Sequence, residues 1–218
     1  DHLKNYANQT IVFANRYDGI DLPDNSCRIL IIDSVPYSDC LADRYEEKCR
    51  TESEIIRTKI VQKIEQGLGR SVRGEKDYCA ILILGGDLTS YIRSADNRNI
   101  FSPQTREQIN IGFEISNMES NTKQDTDDII STIQQCLSRE DGWKNYYSSR
   151  MDSIQCTTRE RTKLLNILQQ EKKAYDEENI GNYEKAASIM QDIANSCEVQ
   201  SEKAWYLQEK ARLLYNIS

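Results

Sequence analysis

Strand-forming segments occur only in the first half of the sequence, and this distribution limits the fold more than any other feature. Three short apolar runs have the composition of strands: TIVFA at 10–14, RILIID at 28–33 and YCAILIL at 78–84. The runs are continuous rather than alternating, which is typical of strands buried on both faces of a parallel sheet. A long helical stretch at roughly 37–72 separates the second run from the third, so the order predicts an α/β arrangement. Because three strands form only part of such a sheet, we interpret the 218-residue chain as a fragment.

The helical stretch is predicted to break near Arg50. Thr51 and Glu54 have the Thr-x-x-Glu spacing of a capping box, in which each side chain bonds a backbone N–H that the first helical turn leaves unpaired. We therefore expect a new helix to begin at Thr51 and to continue into QGLGRSVR at 66–73. Isoleucines at four-residue spacing predict a buried stripe along this helix, formed by Ile56, Ile60 and Ile64.

The end of this predicted helix carries two arginines and a glutamine. Gln66, Arg70 and Arg73 are spaced by four and three residues, which predicts that they share one helical face. Arginine on a rigid helix suits bidentate contact with phosphate oxygens. The same spacing also fits an ordinary solvated face, so both interpretations stay open at this point. Gly67 and Gly69 weaken the helix by about 1 kcal/mol each relative to alanine, which is acceptable where another segment approaches the backbone closely.

A polar loop leaves the first predicted strand in the sequence ANRYDGIDLP, at 14–23. A simple connection needs only a glycine or a proline, whereas this loop has a high density of hydrogen-bonding groups. We interpret it as a loop at a cleft that holds a ligand. The alternative is an ordinary turn, in which Asp18 and Asp21 cap the backbone and Gly19 permits a tight bend.

The second half of the chain is predicted to be helical. After FSP at 101–103 the strand signals stop, and apolar residues recur at three- and four-residue steps from 104 to 217. We place a domain boundary here, with an α/β domain at 1–102 and an all-α domain at 103–218. The two clearest apolar stripes are Ala186, Ile189, Met190, Ile193 and Cys197, and then Ala204, Leu207, Ala211 and Leu214.

Two further segments of the second half have local signals. The polar segment at 116–130 is interpreted as a loop. The segment GNYEKAAS at 181–188 begins with a Gly-Asn turn and resembles the junction between two helices of a tetratricopeptide repeat. A simple antiparallel helical hairpin is favoured, because a repeat array needs several units to share a core.

Composition and charge narrow the range of functions. The net charge of −7 provides no basic surface, so any contact with nucleic acid is expected in a local groove. The longest apolar runs are too short to cross a bilayer, and we expect a cytoplasmic protein with no membrane contact. Seven widely spaced cysteines and the single histidine, His2, form no zinc motif, so we expect reduced thiols and no metal site.

Two of these segments together resemble a known family. IVFANRYDGIDLP at 11–23 resembles motif V, and QGLGRSVR at 66–73 resembles the Gln-x-x-Gly-Arg-x-x-Arg motif VI, of superfamily two helicases. Asp-Gly-Ile-Asp-Leu-Pro, followed by CRILIID and GEKDYCAILIL, is most similar to the C-terminal helicase domain of the XPD/DinG-like group. The resemblance covers roughly 8–115. It implies a partial RecA-like parallel sheet, the second RecA-like domain of an ATP-driven nucleic-acid motor. The all-α helical C-terminal domain that follows is predicted from the apolar spacing and not from the resemblance.

The resemblance implies roles for residues near ATP. In such motors ATP lies between two RecA-like domains, and the second domain supplies arginine fingers. By position, Arg73 is expected to be the finger, Arg70 its neighbour at the phosphates, and Gln66 a nearby hydrogen-bonding group. Gly19 and Asp21 in the motif V loop are expected on the nucleotide side.

The resemblance also implies that motif V contacts nucleic acid. Asn15 and Arg16 are expected near the backbone of single-stranded or duplex DNA, where they would couple the two sites. The sequence departs from the usual Ala-Arg-Gly start of this motif, because Ala14 is followed by Asn15 and Arg16.

Motifs of the first RecA-like domain do not occur in this sequence. It contains no Gly-x-x-x-x-Gly-Lys-Ser/Thr and no Asp-Glu-x-His or Asp-Glu-x-Asp. ATP and Mg²⁺ are therefore expected as cofactors of a longer protein that includes the missing N-terminal RecA-like domain, with the magnesium ligands in that domain. This fragment alone is expected to be inactive, and its helical domain is expected to contact DNA or a protein partner.

The alternative is non-enzymatic: a helical protein-interaction module on a degenerate helicase domain. In that case Trp205 and Tyr206 would form part of a protein-binding face. A place for Trp205 in the core of the last helix is the favoured interpretation. The presence of both Arg70 and Arg73 favours the motor over the interaction module.

Overall fold

The computed structural model describes residues 10–15, 17, 22, 26–70, 77–119, 125–155 and 161–217. Within them, the chain forms two strands and ten helices. In order they are β1 Ile29–Ile32, α1 Leu41–Cys49, α2 Glu54–Leu68, β2 Ala80–Ile83, α3 Gly86–Arg93, α4 Ala95–Arg98, α5 Pro103–Glu119, α6 Asp125–Leu137, α7 Asp141–Asp152, α8 Thr162–Asn179, α9 Tyr183–Ser196 and α10 Gln200–Tyr215. The predicted fold class, a partial parallel sheet followed by a helical region, is confirmed.

The sheet consists of β1 and β2, which pair in parallel from Ile29 opposite Ala80 to Ile32 opposite Ile83. The predicted first strand, at 10–14, is wrong. Residues 10–13 have no regular structure, and Val12 is 86% exposed. An apolar run becomes a strand only when a neighbouring strand pairs with its backbone groups, and neither β1 nor β2 pairs with it.

The chain divides into two compact units, one formed by residues 1–36 and 60–156 and the other by residues 37–59 and 157–218. The two units reflect which residues pack together, and each contains two separate stretches of the chain. The predicted domain boundary at 103 stays a prediction. The first unit encloses an apolar core to which β1, α2, α3 and α5 contribute. Its fully buried members include Val61, Ile64, Leu88 and Ile92. The predicted isoleucine stripe of α2 is confirmed, since Ile56 and Ile64 are buried and Ile60 packs against this core.

The predicted break near Arg50 is confirmed, but the predicted cap is wrong. α1 ends at Cys49, and α2 begins at Glu54 with Ser53 before it. The Ser53 hydroxyl accepts a hydrogen bond from the Ile55 N–H at 3.2 Å. Thr51 lies in the preceding turn. Ser53 is the cap because it directly precedes the first helical residue, although the capping-box spacing belongs to Thr51.

The second unit contains α8, α9 and α10, and its core includes Ala186, Ile193 and Leu213. The predicted turn at 181–182 is confirmed. Gly181 has φ of +80°, and its N–H bonds the Glu178 carbonyl. The Asn182 N–H bonds the Glu177 carbonyl, which completes the usual glycine-containing end of a helix.

The predicted apolar stripe of α9 is confirmed, whereas that of α10 is wrong. Ala204, Leu207, Ala211 and Leu214 are exposed, and the buried residues of α10 are Tyr206 and Leu213. Apolar residues occupy two faces of α10, so spacing alone could not show which face is inside. The burial of Tyr206 also makes its predicted place in a protein-binding face wrong.

The predicted loop at 116–130 is wrong at both ends. α5 continues to Glu119 and α6 begins at Asp125, while 120–124 lie outside the described residues. Polar sequence is compatible with helices here because the described part of this segment is largely exposed.

A buried arginine lies at the centre of the second unit. Arg50 is 1% exposed. Its Nη1 donates to a Glu46 carboxylate oxygen at 2.6 Å, and its Nη2 donates to Glu202 at 2.9 Å and to the Tyr206 hydroxyl at 2.8 Å. The Tyr206 hydroxyl donates in turn to Glu171 at 2.6 Å. Burial, and then the charge of Glu171, raise the pKa of Tyr206, so this hydroxyl stays protonated.

The six cysteines in the described part of the chain are free thiols. Hydrogen bonding to Cys79, and then burial, raise the pKa of Cys27. Burial is the main cause that raises the pKa of Cys136 and of Cys197. Cys40 is exposed. Among the described helices, none has the length and apolar character needed to cross a membrane.

Candidate functional site at the carboxyl edge of the sheet

The two strands end at the same edge of the sheet because they run in parallel. Ligands of open α/β sheets bind at this carboxyl edge. Gly85 follows β2 with φ of +78°, and a Cβ atom at this position would lie 1.8 Å from the Asp33 carbonyl oxygen. The Asp87 carboxylate accepts a hydrogen bond from the Val35 N–H at 3.2 Å. The shape of this edge is thus set by the close packing of Gly85 on the Asp33 backbone and by the hydrogen bond between Val35 and Asp87.

Tyr17, in the middle of the motif V loop, lies beside this edge. Its hydroxyl is 3.5 Å from the Ser34 carbonyl oxygen, at the long limit of a hydrogen bond. Burial, and then the negative charge of Asp87, raise the pKa of Tyr17, so the hydroxyl remains protonated at neutral pH. Leu22, near the end of the same loop, is buried.

The ring of Tyr17 packs directly on Gly67, in the last turn of α2. A Cβ atom at Gly67 would lie 2.8 Å from Cδ1 and 2.9 Å from Cε1 of Tyr17. The ring therefore occupies the space that any side chain at this position would need. The prediction that a glycine here permits the close approach of another segment is confirmed for Gly67.

Arg70 also contacts Tyr17. The Arg70 Nε–H donates to the Tyr17 carbonyl oxygen at 2.8 Å, and the side chain is half-buried. A guanidinium group is planar and carries its donors in a fixed fork. A bond from Nε consequently fixes the direction of the whole group. The structure thus joins the predicted motif VI to the predicted motif V, through Gly67 and Arg70 in the former and Tyr17 in the latter.

The predicted helical face is wrong for Gln66 and Arg70, because Gln66 lies in α2 and Arg70 lies beyond its end, while Arg73 lies outside the described residues. α2 ends at Leu68, and the Arg70 N–H bonds the Gly67 carbonyl three residues earlier, as in a tight 3₁₀ turn. The helix ends here because glycine is a poor helix former and occurs twice, at 67 and 69. Gln66 is exposed in the last turn of α2.

The described part of the site contains three of the predicted residues: Gln66, Arg70 and Asn15. Asn15 is half-buried and has φ of +50°, a left-handed conformation that asparagine adopts more readily than most residues. The other predicted site residues, Arg16, Gly19, Asp21 and Arg73, lie outside the described residues.

Tyr17 was not predicted as a site residue. The sequence signal that could have indicated it is weak: one aromatic residue within an otherwise polar loop, and a glycine late in a helix fifty residues away. Neither signal alone predicts that the two residues touch.

Comparison with protein families gives one match. Residues 2–95 match the family described as the helicase C-terminal domain. This part of the chain is thus similar to a helicase C-terminal domain. The match includes 14–23 and 66–73 and confirms the resemblance to the XPD/DinG-like group. Comparisons with curated proteins and with solved structures give no match.

The matched segment includes both strands and the contact of Tyr17 with Gly67 and Arg70. A helicase-related function follows for this part of the chain, together with nucleic-acid binding in general. Residues 96–218 lie outside the match.

Proposed function

We propose that the chain is the C-terminal part of an ATP-dependent DNA helicase or translocase. The helicase C-terminal domain would act as the second RecA-like domain and face ATP held by a first RecA-like domain elsewhere in the protein. The observation that carries this proposal is the hydrogen bond from Arg70 Nε to the Tyr17 carbonyl oxygen. It orients a guanidinium group beside the carboxyl edge of a parallel sheet, where phosphate-bearing ligands bind.

In this proposal the arginines act by charge. Phosphoryl transfer depends mainly on positioning and on stabilising the charge of the departing γ-phosphate. Arg73 would be the finger and Arg70 its neighbour, with Gln66, Gly19 and Asp21 on the nucleotide side. In the described part of the chain, no three His, Cys, Asp or Glu residues form a group that could hold a metal ion. The family resemblance places the Mg²⁺ ligands of this proposal in the first RecA-like domain.

The opposite side of the motif V loop would contact DNA. Asn15 and Arg16 would lie near the phosphate backbone, and closure of the two RecA-like domains on ATP would move them along one strand. With a net charge of −7, attraction to DNA would be local and weakened by salt.

The test uses the longer protein that includes both RecA-like domains. Single-stranded DNA should increase its ATP hydrolysis, and Arg73→Ala should reduce turnover by about 10³-fold or more, because a finger arginine contributes that much. Arg212→Ala is the matched control: Arg212 is an exposed arginine bonded to Glu178 and Glu209. This control should change turnover by no more than about twofold.

Two results would contradict the proposal. If single-stranded DNA does not change the rate of ATP hydrolysis by the wild-type protein, the protein is not a motor of this kind. Near-normal turnover of Arg73→Ala would remove Arg73 from the finger role.

A further inference from the structure

We infer that a pocket between α5, α6 and α7 binds a lysine or arginine side chain that a basic segment of a partner protein presents. The pocket has a volume of about 430 Å³, which is within the usual range of ligand sites. All three helices belong to the compact unit of residues 1–36 and 60–156, and the proposed function assigns no residue in them. The residues that determine the chemistry of the pocket are Glu114 of α5, Asp128, Thr132 and Gln135 of α6, and Trp143 and Tyr146 of α7.

Ion pairs hold α7 against α5 beside the pocket. The Arg150 side chain donates from Nη1 to a Glu114 carboxylate oxygen at 2.5 Å and from Nε to Glu107 at 2.6 Å. The Tyr146 hydroxyl donates to Glu114 at 3.2 Å. Hydrogen bonding to Arg150 lowers the pKa of Glu114, so this carboxylate is charged at neutral pH. These bonds fix one wall of the pocket without the help of a ligand.

Two aromatic rings provide a surface for a cation. The ring centres of Trp143 and Tyr146 are 6.1 Å apart, and their planes are tilted by 46°. A guanidinium or ammonium group is attracted to the face of such a ring, most strongly to that of tryptophan. The Tyr146 ring already has the Arg150 guanidinium carbon 5.7 Å from its centre. In the described part of the chain no lysine or arginine lies over Trp143, so the Trp143 ring is where a cation from a partner can bind.

The pocket is negatively charged. Among the described residues that line it, Glu114 and Asp128 are acidic and none is basic. The whole of α6 contains three aspartates and no lysine or arginine. Arg150 is shared between Glu107 and Glu114, so it does not offset the charge of Asp128. A negative, partly enclosed surface attracts cations and repels phosphate groups, which favours a basic ligand over nucleic acid.

The apolar surroundings favour a protein segment over a small free cation. Ile129 and Ile130 follow Asp128 on α6 and are 40% and 46% exposed. A peptide that places a basic side chain in the pocket can also bury apolar surface against these isoleucines, whereas a free cation cannot. The Thr132 hydroxyl and the Gln135 amide oxygen are further acceptors for the several N–H groups of lysine or arginine.

The test measures the binding of two short peptides to the 218-residue chain by isothermal titration calorimetry. The basic peptide is acetyl-RIRIR-amide, and its neutral counterpart is acetyl-QIQIQ-amide. The basic peptide should bind at least about tenfold more tightly, because only it can form the ion pair and the cation–π contact. Raising the salt concentration should weaken its binding, since salt screens charges near the surface.

Substitutions in the pocket locate the binding. Asp128→Asn keeps the shape of the side chain and should weaken binding of the basic peptide by about three- to fivefold. Trp143→Leu removes the aromatic ring and should weaken it by about fivefold or more. Asp176→Asn is the matched control, because Asp176 is an exposed aspartate on α8 outside the pocket, and it should change the affinity by less than about twofold. Circular dichroism of each variant checks that the helices are retained.

Four results would overturn the inference. The basic peptide could show no saturable binding up to about 1 mM, or the two peptides could bind equally. Asp128→Asn and Asp176→Asn could have equal effects, in which case net charge alone holds the peptide. An oligothymidylate of about 20 nucleotides could bind and be weakened by Trp143→Leu, in which case the pocket holds a nucleotide base.

The two aspartate variants decide the outcome even if Trp143→Leu does not fold. ATP hydrolysis does not enter these measurements. A failure of the proposed function would therefore leave this inference intact, and a failure of this inference would leave the proposed function intact.

Discussion

The compact unit of residues 1–36 and 60–156 buries aliphatic side chains, whereas the unit of residues 37–59 and 157–218 has a guanidinium group among its buried residues. Ile64 and Leu88 need only neighbours of suitable volume, because the hydrophobic effect is not directional. Arg50 needs carboxylates and a hydroxyl at defined positions, which Glu46, Glu202 and Tyr206 provide. The second unit therefore depends on specific hydrogen-bonding partners for Arg50, and the first on side-chain volume and backbone shape.

Removal of Arg50 should have the largest effect on stability. Arg50→Ala removes a buried guanidinium group and leaves its half-buried carboxylate partners without their cation, so it should lower the free energy of unfolding by about 3–5 kcal/mol. Urea denaturation followed by circular dichroism measures this change. Arg212→Ala, which removes an exposed arginine with two carboxylate partners, should cost at most about 1 kcal/mol. Similar losses of unfolding free energy in Arg50→Ala and Arg212→Ala would contradict the idea that the second unit depends on the specific partners of Arg50.

A substitution at the sheet edge should have the next largest effect. Gly85→Ala forces φ of +78° on a residue with a Cβ atom and should cost about 1–3 kcal/mol from backbone strain alone. Overlap with the Asp33 carbonyl oxygen increases this cost. Gly86→Ala is the matched control, because a Cβ atom there meets nothing within 4 Å. Equal melting temperatures of the two variants would show that the backbone conformation at Gly85 does not limit the stability of the first unit.

The smallest effect should come from an exposed ion pair in the second unit, and it should depend on pH. Hydrogen bonding to Arg212 holds the pKa of Glu178 below its usual value. Such a pair stabilises the fold above the unfolded pKa of the carboxyl group, and the stabilisation is lost as pH falls through the lower, folded pKa. Wild type and Arg212→Ala should differ by at most about 1 kcal/mol at pH 7. Their melting temperatures should converge as pH falls below the usual pKa range of glutamate, and a difference that grows on acidification would contradict this assignment.

Features encoded by nearby residues could be predicted from the sequence. The strands at 28–33 and 78–84, the break at Arg50 and the turn at Gly181 follow from apolar runs, capping residues and glycine. Features that depend on distant residues could not be predicted. The apolar spacing of α10 fits either of two faces. The face that includes Tyr206 is the buried one, and Tyr206 bonds Arg50, which follows α1, and Glu171 in α8.

The candidate site shows the same limit. The sequence indicated Arg70 and the loop at 14–23 separately, and the structure brings them together through Tyr17. The end of α2 was predicted too late, because the arginine spacing suggested a continuous helix and the two glycines outweighed it. Tyr17 was missed because its importance lies in a contact with Gly67, which no local pattern records.

The free thiols have a practical consequence for labelling. A maleimide reacts with thiolate, so the raised pKa values of Cys27, Cys136 and Cys197 slow their modification at neutral pH. Among the cysteines that the structure describes, Cys40 is the exposed one, and a fluorophore should attach there first. A fluorophore can thus be attached at Cys40 while the less reactive thiols of Cys27, Cys136 and Cys197 stay unmodified.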